Sequence, residues 1–279
     1  MLRGMRLRVC IAGVSGKVGK ALAVAVAGAE DLELVGAVSR RWAGQSVAGA
    51  LGLASAAATA TIRASVPEAL DALDVVDGRP CDVLIDYTSA AAVEAHVHHS
   101  IERGVHVVIG SSGLSSEQYD EIDRRARAVG VGVFAAGNFA LTAVLLQRFA
   151  ELAARVLPTW EIVDYASPGK PDAPSGTARE LAARLGQVRA PVVERPIAET
   201  LGEPAARGAT LSGSQLHSVR VPGYLSSIEV TFGQAGERLL LRHDAIDGSA
   251  PYVSGTLLAV RRVREWTGLR RGLDTLLDL

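Results

Sequence analysis

Leu7-Arg8-Val9-Cys10-Ile11-Ala12-Gly13-Val14-Ser15-Gly16-Lys17-Val18-Gly19 begins as an apolar, strand-like run and ends in glycines at every third position. A strand feeding a glycine turn and then a helix is the dinucleotide-binding arrangement. Gly13 permits the tight turn, Gly16 lets backbone approach a pyrophosphate, and Gly19 lets the helix pack close to the strand. Gly13, Val14, Ser15, Gly16, Lys17 and Val18 are therefore read as cofactor-binding. The spacing is G-x-x-G-x-x-G instead of the commoner G-x-G-x-x-G, so a purely structural βα turn competes with this reading. Lys17 opposes the helix dipole, at a cost of a few tenths of a kcal/mol (roughly) unless an anion sits there.

Working outward, the second strand-like run ends at Ser39-Arg40-Arg41. NAD-specific sites usually carry Asp or Glu there, bonded to the ribose 2′-hydroxyl. Two guanidinium groups suit a 2′-phosphate and offer nothing to a bare diol, so Arg40 and Arg41 predict NADPH over NADH. A solvated basic loop is the competing reading.

The first half alternates short apolar runs with amphipathic stretches, which predicts a parallel sheet covered by helices. Strands are expected at 7–12, 32–38, 60–64, 83–86, 105–109 and 131–135, and helices at 17–27, 90–103 and 116–128. Ser115 with Gln118 reads as a capping box. Residues 43–58 read as a loop or weak helix. After Asn138 the pattern changes: a helix from about Phe139 to Val156, a strand 161–164, a helix 177–186 and a long surface excursion 187–208. Runs at 216–221, 227–232 and 239–243 read as antiparallel strands of an open sheet, before a terminal helix near 252–266. The expected architecture is α/β: a Rossmann-like, mostly parallel sheet domain (1–138 with 248–279) plus a smaller α+β domain with an open mixed or antiparallel sheet (139–247).

The 279 residues can bury a large core, and 29 basic against 30 acidic side chains give no global pull toward nucleic acid or anionic membrane. The basic start, Met1 to Arg8, precedes an apolar run too short for a signal peptide or a membrane span, so a cytoplasmic protein is expected. Cys10 and Cys81 each begin a strand-like run and read as buried, reduced thiols. His96, His98, His99 and His106 look metal-like on paper. Only His96 and His99 share a helical face, and no third ligand has suitable spacing, so a solvated helix surface and no metal are expected. The arginines at 261, 262, 264, 270 and 271 read as favourable charge at a helix end.

A second site is written in Lys170-Pro171-Asp172-Ala173-Pro174-Ser175-Gly176-Thr177. Two prolines fix an extended approach, and Thr177 with Glu180 reads as a capping box. Backbone amides around Ser175, Gly176 and Thr177 then favour an anion, with Lys170 adding a full charge. That is a carboxylate receptor, with an ordinary helix cap as the competing reading.

This segment resembles the K-x-D-A-P-S-G-T substrate loop of the dihydrodipicolinate reductase family, the reductases of bacterial lysine biosynthesis. Gly13 to Gly19 resembles that family's nucleotide loop, and Asp82-Val83-Leu84-Ile85-Asp86-Tyr87-Thr88 its central strand. Gly110-Ser111-Ser112-Gly113 matches its G-T-T-G turn, and Asn138-Phe139 its N-F element. The resemblance implies that Thr88, Gly110, Ser111, Ser112, Ala136, Asn138 and Phe139 also contact the cofactor. It implies that the last helix returns to the nucleotide domain and that the protein is a homo-oligomer, a tetramer.

The departures bear on chemistry. Where the family has a pattern like E-x-H-H-x-x-K, this chain reads Asp164-Tyr165-Ala166-Ser167-Pro168-Gly169-Lys170, so Ala166 and Ser167 stand at the histidine positions. Ile246-Asp247-Gly248-Ser249 stands where S-S-R is frequent, and Ile228 aligns with a family histidine. Hydride transfer needs an electron-poor carbon near the ring, as in an imine or enamine acid, and a proton source. Lys170 is the candidate catalytic residue, and Ser167, Ser175, Gly176 and Thr177 are candidate substrate contacts. Asp164 and Tyr165 are local alternatives as donors. The leading expectation is an NADPH-dependent reductase of a cyclic imine or enamine acid with a diverged active site and a substrate with one carboxylate, or a bulkier one. Reduction of the lysine-pathway intermediate itself, with Lys170 and water, is the rival, and a non-catalytic NADPH-binding protein is the third reading.

Overall fold

The computed structural model describes residues 6–53 and 59–277, in two compact units. Of these described residues, those up to 140 and those from 249 onward form the first, and 141–248 the second. The basic start up to Met5, and positions 54–58 of the Ala/Gly-rich stretch, lie outside the described residues.

The first unit runs β1 (Leu7–Ala12), α1 (Lys17–Gly28), β2 (Leu32–Val38), α2 (Val47–Leu51), β3 (Ile62–Arg63), α3 (Val66–Asp71), β4 (Val83–Asp86), α4 (Val93–Glu102), β5 (His106–Ile109), α5 (Ser116–Val129) and β6 (Gly132–Ala135). The second holds α6 (Leu141–Ala154), β7 (Thr159–Ala166), α7 (Gly176–Val188), β8 (Ala209–Leu211), β9 (Ser214–Arg220), β10 (Ser226–Gln234) and β11 (Glu237–Ala245). The chain then completes the first unit with α8 (Ala250–Arg262) and β12 (Gly268–Arg271).

All neighbours in the seven-stranded sheet are parallel, in the order β12-β6-β5-β4-β1-β2-β3. Such a sheet is covered on both faces, and its strands show it: Val9 to Ala12, and all of β4, β5 and β6, are buried. From β1 the chain goes to β2 on one side and later to β4 on the other. The carboxyl edge between β1 and β4 is thus a topological switch point, where open α/β sheets bind ligands. Cys10 and Cys81 are free, buried thiols of this unit. The capping box at Ser115 and Gln118 is present at the start of α5.

The second unit is a five-stranded sheet, β11-β10-β7-β9-β8, with α6 and α7 on one face. Burial alternates strictly along β7, because only one face meets the helices. Ile162, Ile228, Val230 and Phe232 pack there against Leu146, Leu181 and Leu185.

Several expectations need correction. β9, read as an antiparallel strand, pairs parallel with β7, so of the mixed and antiparallel sheets expected the mixed one is present: alternation along a strand sets its face, not its direction. Helix α7 begins a turn position earlier than read. Ser175 is its N-cap, in extended backbone, and its side chain accepts from the Ala178 amide. Thr177 already lies inside the helix, and Glu180 pairs with Arg184 one turn on, not with a cap. The terminal helix stops at Arg262, and Arg270 and Arg271 sit on β12, not at a helix end. There their guanidinium groups lie over the rings of Trp266 and Tyr119.

Candidate functional site

In the first unit, the glycine loop follows β1 as a tight turn. Gly13 has φ +89°, and a Cβ on it would collide with the Tyr87 carbonyl. A Cβ on Gly19 would strike the Gly13 carbonyl, so α1 can approach β1 only because both positions are glycine. No side chain caps α1 at Gly16 and no acidic residue sits in its first turn. The first-turn amides, including those of Lys17 and Val18, are therefore open to an anion.

Gly13, Ser15, Gly16, Arg40, Arg41 and Thr88 line one cavity of about 850 Å³, with Ser39, Tyr87 and His96. Arg40 and Arg41 stand on a short turn after β2, both exposed, with no carboxylate paired to either among the described residues. Ser39 ties this turn to the glycine loop by donating to Ser15 Oγ at 2.8 Å. The donor set is cationic guanidinium, hydroxyl and open helix amide, which fits a phosphate-rich dinucleotide.

Other sites expected from the sequence fall outside this cavity. Val14 is fully buried and its amide bonds the Val38 carbonyl, so it faces inward. Gly110, Ser111 and Ser112 follow β5, and Ala136, Asn138 and Phe139 follow β6, at the same carboxyl edge of the sheet. Asn138 folds back to accept from the Ala140 amide. The Phe139 ring is 2% exposed and packs against Tyr87 and Phe134, each 5.9 Å between centroids. It belongs to the core and presents no open face.

At the end of β4 stands a group the sequence reading passed over. Asp86 is completely buried, and its carboxylate accepts from Thr88 Oγ1 at 2.8 Å, the Thr88 amide at 3.1 Å and Ser111 Oγ at 2.6 Å. His96 Nδ1 lies 2.7 Å from its other oxygen. Burial opposes ionisation of Asp86, but the hydrogen bonds from His96, Ser111 and Thr88 outweigh it and hold the carboxyl below the usual carboxylate range. One carboxylate thus anchors Thr88, the 110–113 turn and α4. The solvated surface expected for His96 needs correction: its ring bridges Asp86 and the cavity. The signal was present: an ionisable residue closing an otherwise apolar strand at a ligand-binding edge. His106 is also buried, its Nδ1 accepting the Gly132 amide at 2.8 Å. Among the described residues, no three His, Cys, Asp or Glu side chains cluster as metal ligands, and no helix is long and apolar enough to cross a membrane.

In the second unit, the loop from Lys170 to Thr177 connects β7 to α7, with a cis peptide between Ala173 and Pro174. Lys170 Nζ lies 2.6 Å from Asp172 Oδ1, and Arg179 stands 3.8 Å from the same carboxylate. The Lys170 hydrogen bond, chiefly, lowers the Asp172 pKa. Ser175 spends its amide on Asp164 and its hydroxyl on the cap. Gly176 and Thr177 keep the open first-turn amides. Ser167 is half-buried, and its carbonyl accepts the Lys170 amide. Asp164, considered as a proton donor, is instead buried in an ion pair with Arg220 at 2.7 Å. Arg220 was missed because its partner is distant in sequence. Tyr165 packs its ring on Tyr224, under the Arg242 guanidinium.

Residues 7–139 match the family model described as dihydrodipicolinate reductase, N-terminus, and residues 142–277 the model for its C-terminus. The chain is 38% identical to the 4-hydroxy-tetrahydrodipicolinate reductase of Moorella thermoacetica, over 98% of each chain. It is 37% identical to that of Nocardia farcinica, over 99% of this chain and 100% of the relative. A dipicolinate-bound dihydrodipicolinate reductase from Paenisporosarcina sp. TG-14 superposes with a TM-score of 0.84 at 30% identity, covering 98% of this chain and 100% of that one. With its glycine cradle and both family halves in place, the chain belongs to the dihydrodipicolinate reductase family of nicotinamide-dependent oxidoreductases.

Proposed function

We propose that this protein is an NADPH-dependent reductase of a cyclic imine or enamine carboxylic acid, with a proton relay altered from its relatives'. The observation that carries the cofactor preference is the Arg40–Arg41 turn, which lines the cavity without a carboxylate partner. A bound reduced nicotinamide supplies hydride. The chain's own part is to hold the acid and manage a proton. Lys170 and the open amides of Gly176 and Thr177 bind the substrate carboxylate, with Ser167 and Ser175 shaping the loop. Lys170 carries the proton for the reduced nitrogen or carbon. Ala166 and Ser167 cannot titrate near neutral pH, so no imidazole assists at those positions, and the preferred acid has one carboxylate or more bulk.

A second reading, reduction of 4-hydroxy-tetrahydrodipicolinate itself in lysine biosynthesis, is favoured by end-to-end likeness to relatives of that name. By family resemblance the protein works in the cytoplasm as a homotetramer, and the exposed Leu239 and Leu240 of β11 offer apolar surface for association.

The test follows NADPH consumption with 4-hydroxy-tetrahydrodipicolinate beside monocarboxylic cyclic imines. Faster turnover of a monocarboxylic acid is expected; preference for the dicarboxylate would install the second reading. For the cofactor, Arg40→Asp with Arg41→Ala should weaken NADPH binding by about a hundredfold, two charge-assisted contacts being lost, and leave NADH nearly unaffected. An unchanged preference would remove both arginines from the cofactor site.

A further inference from the structure

Behind Lys170 stands a chain of polar contacts that begins inside the second unit. Asp164 Oδ2 accepts from the Ser175 amide at 2.9 Å, from Arg220 Nη2 at 2.7 Å and from Ser218 Oγ at 3.3 Å. The same Arg220 Nη2 donates to the Asp172 carbonyl oxygen at 2.8 Å. Nη1 donates to the carbonyls of Val219, at 3.0 Å, and Asp164, at 3.3 Å. The side chains of Asp164 and Arg220 are 2% and 16% exposed. Asp172 then holds Lys170 through its carboxylate.

The pairing of β7 with β9 does not need this ion pair, since six consecutive residues of each already pair in register. What the pair ties down is the loop. One donor to Asp164 comes from the N-cap of α7, and one bond from Arg220 goes to Asp172, so the loop is strapped to the strand ends at two points. A buried ion pair is poor evidence of stabilisation in itself, because desolvation offsets much of its attraction. It does fix geometry, and a planar guanidinium can serve several acceptors at once where an ammonium cannot.

We propose that Arg220, Asp164 and Asp172 are positioning residues that set the direction of the Lys170 ammonium. The proposal rests on the reading that Lys170 binds the substrate acid. The relay is ordered: Asp164 orients Arg220, Arg220 places the Asp172 backbone, and the Asp172 carboxylate aims Lys170. Arg220 touches no substrate in this scheme.

The test is a double-mutant cycle read by titrating dipicolinate into the NADPH-saturated protein. Arg220→Lys keeps a cation beside Asp164 but loses the fork, and should weaken dipicolinate about tenfold, leaving NADPH affinity unchanged. In a Lys170→Ala background the same change should add less than about twofold, because its effect passes through Lys170. Equal losses in both backgrounds would overturn the proposal and make Arg220 merely structural. Asp172→Asn, at a partly exposed loop position, runs the same cycle without disturbing the buried pair; additivity there also overturns it. If Lys170→Ala leaves dipicolinate affinity intact, the Lys170 reading itself fails, which separates that outcome from the additive one; a wild-type protein that binds only monocarboxylic ring acids is put through the same cycle with picolinate, under the same criteria.

Discussion

His106 is an imidazole with no room for a second proton. It is 7% exposed at the start of β5, and its Nδ1 accepts the Gly132 amide. Burial above all, then the charges of Arg79 and Arg264, pushes its pKa down from 6.5 to about 4. The unfolded chain therefore binds this proton between about pH 6.5 and 4, while the folded chain does not. Stability rises with pH across that window, by at most about 1.4 kcal/mol per pH unit from this one group. His106→Asn keeps an acceptor for Gly132 without a titrating ring. Urea unfolding at several pH values should show a shallower slope for the variant, and identical slopes would refute the assignment. At this scale the sequence was legible where chemistry is local. A helix opening near Thr177 was readable from eight adjacent residues, although its cap is Ser175. Arg220 was not, because its acceptors lie 56 and 48 positions away. His96 was misread for a related reason: a helical face can be counted, but a buried carboxylate on a neighbouring strand cannot.

Among the elements, α1 and β1 depend on each other through glycine. Gly19→Ala would place a methyl group against the Gly13 carbonyl and push the helix off the strand. A loss of about 1–3 kcal/mol of stability is expected from overpacking, together with loss of NADPH binding, because the loop amides move with the helix. Thermal unfolding and an NADPH titration check both parts, and tight NADPH binding by the variant would contradict this role. The strands and helices around the glycine loop were legible because their apolar periods differ. The direction of β9 was not, since alternation is the same for parallel and antiparallel neighbours. The four-residue β12 was hidden by its two arginines, whose stacking on Trp266 and Tyr119 lets charged side chains occupy an edge strand.

On the scale of the whole chain, the first unit is assembled from two stretches separated by the second, and α8 is needed to finish it. Thr256 of α8 holds the Tyr87 hydroxyl at 2.8 Å, so the last part of the chain supports a residue beside the glycine turn. That return was legible only through family resemblance; periodicity shows a helix and says nothing of where it docks. Both sulfhydryls lie in this unit, at Cys10 and Cys81, while residues 141–248 have none. Burial pushes the Cys10 thiol up to about 12 and the Cys81 thiol well above its ordinary value, so neither is nucleophilic while the sheet is closed. Alkylating reagents should therefore mark only molecules whose seven-stranded sheet has come apart, and saturating NADPH should slow the marking. The molecule thereby carries its own clock for the opening of one half, silent toward whatever happens in the other.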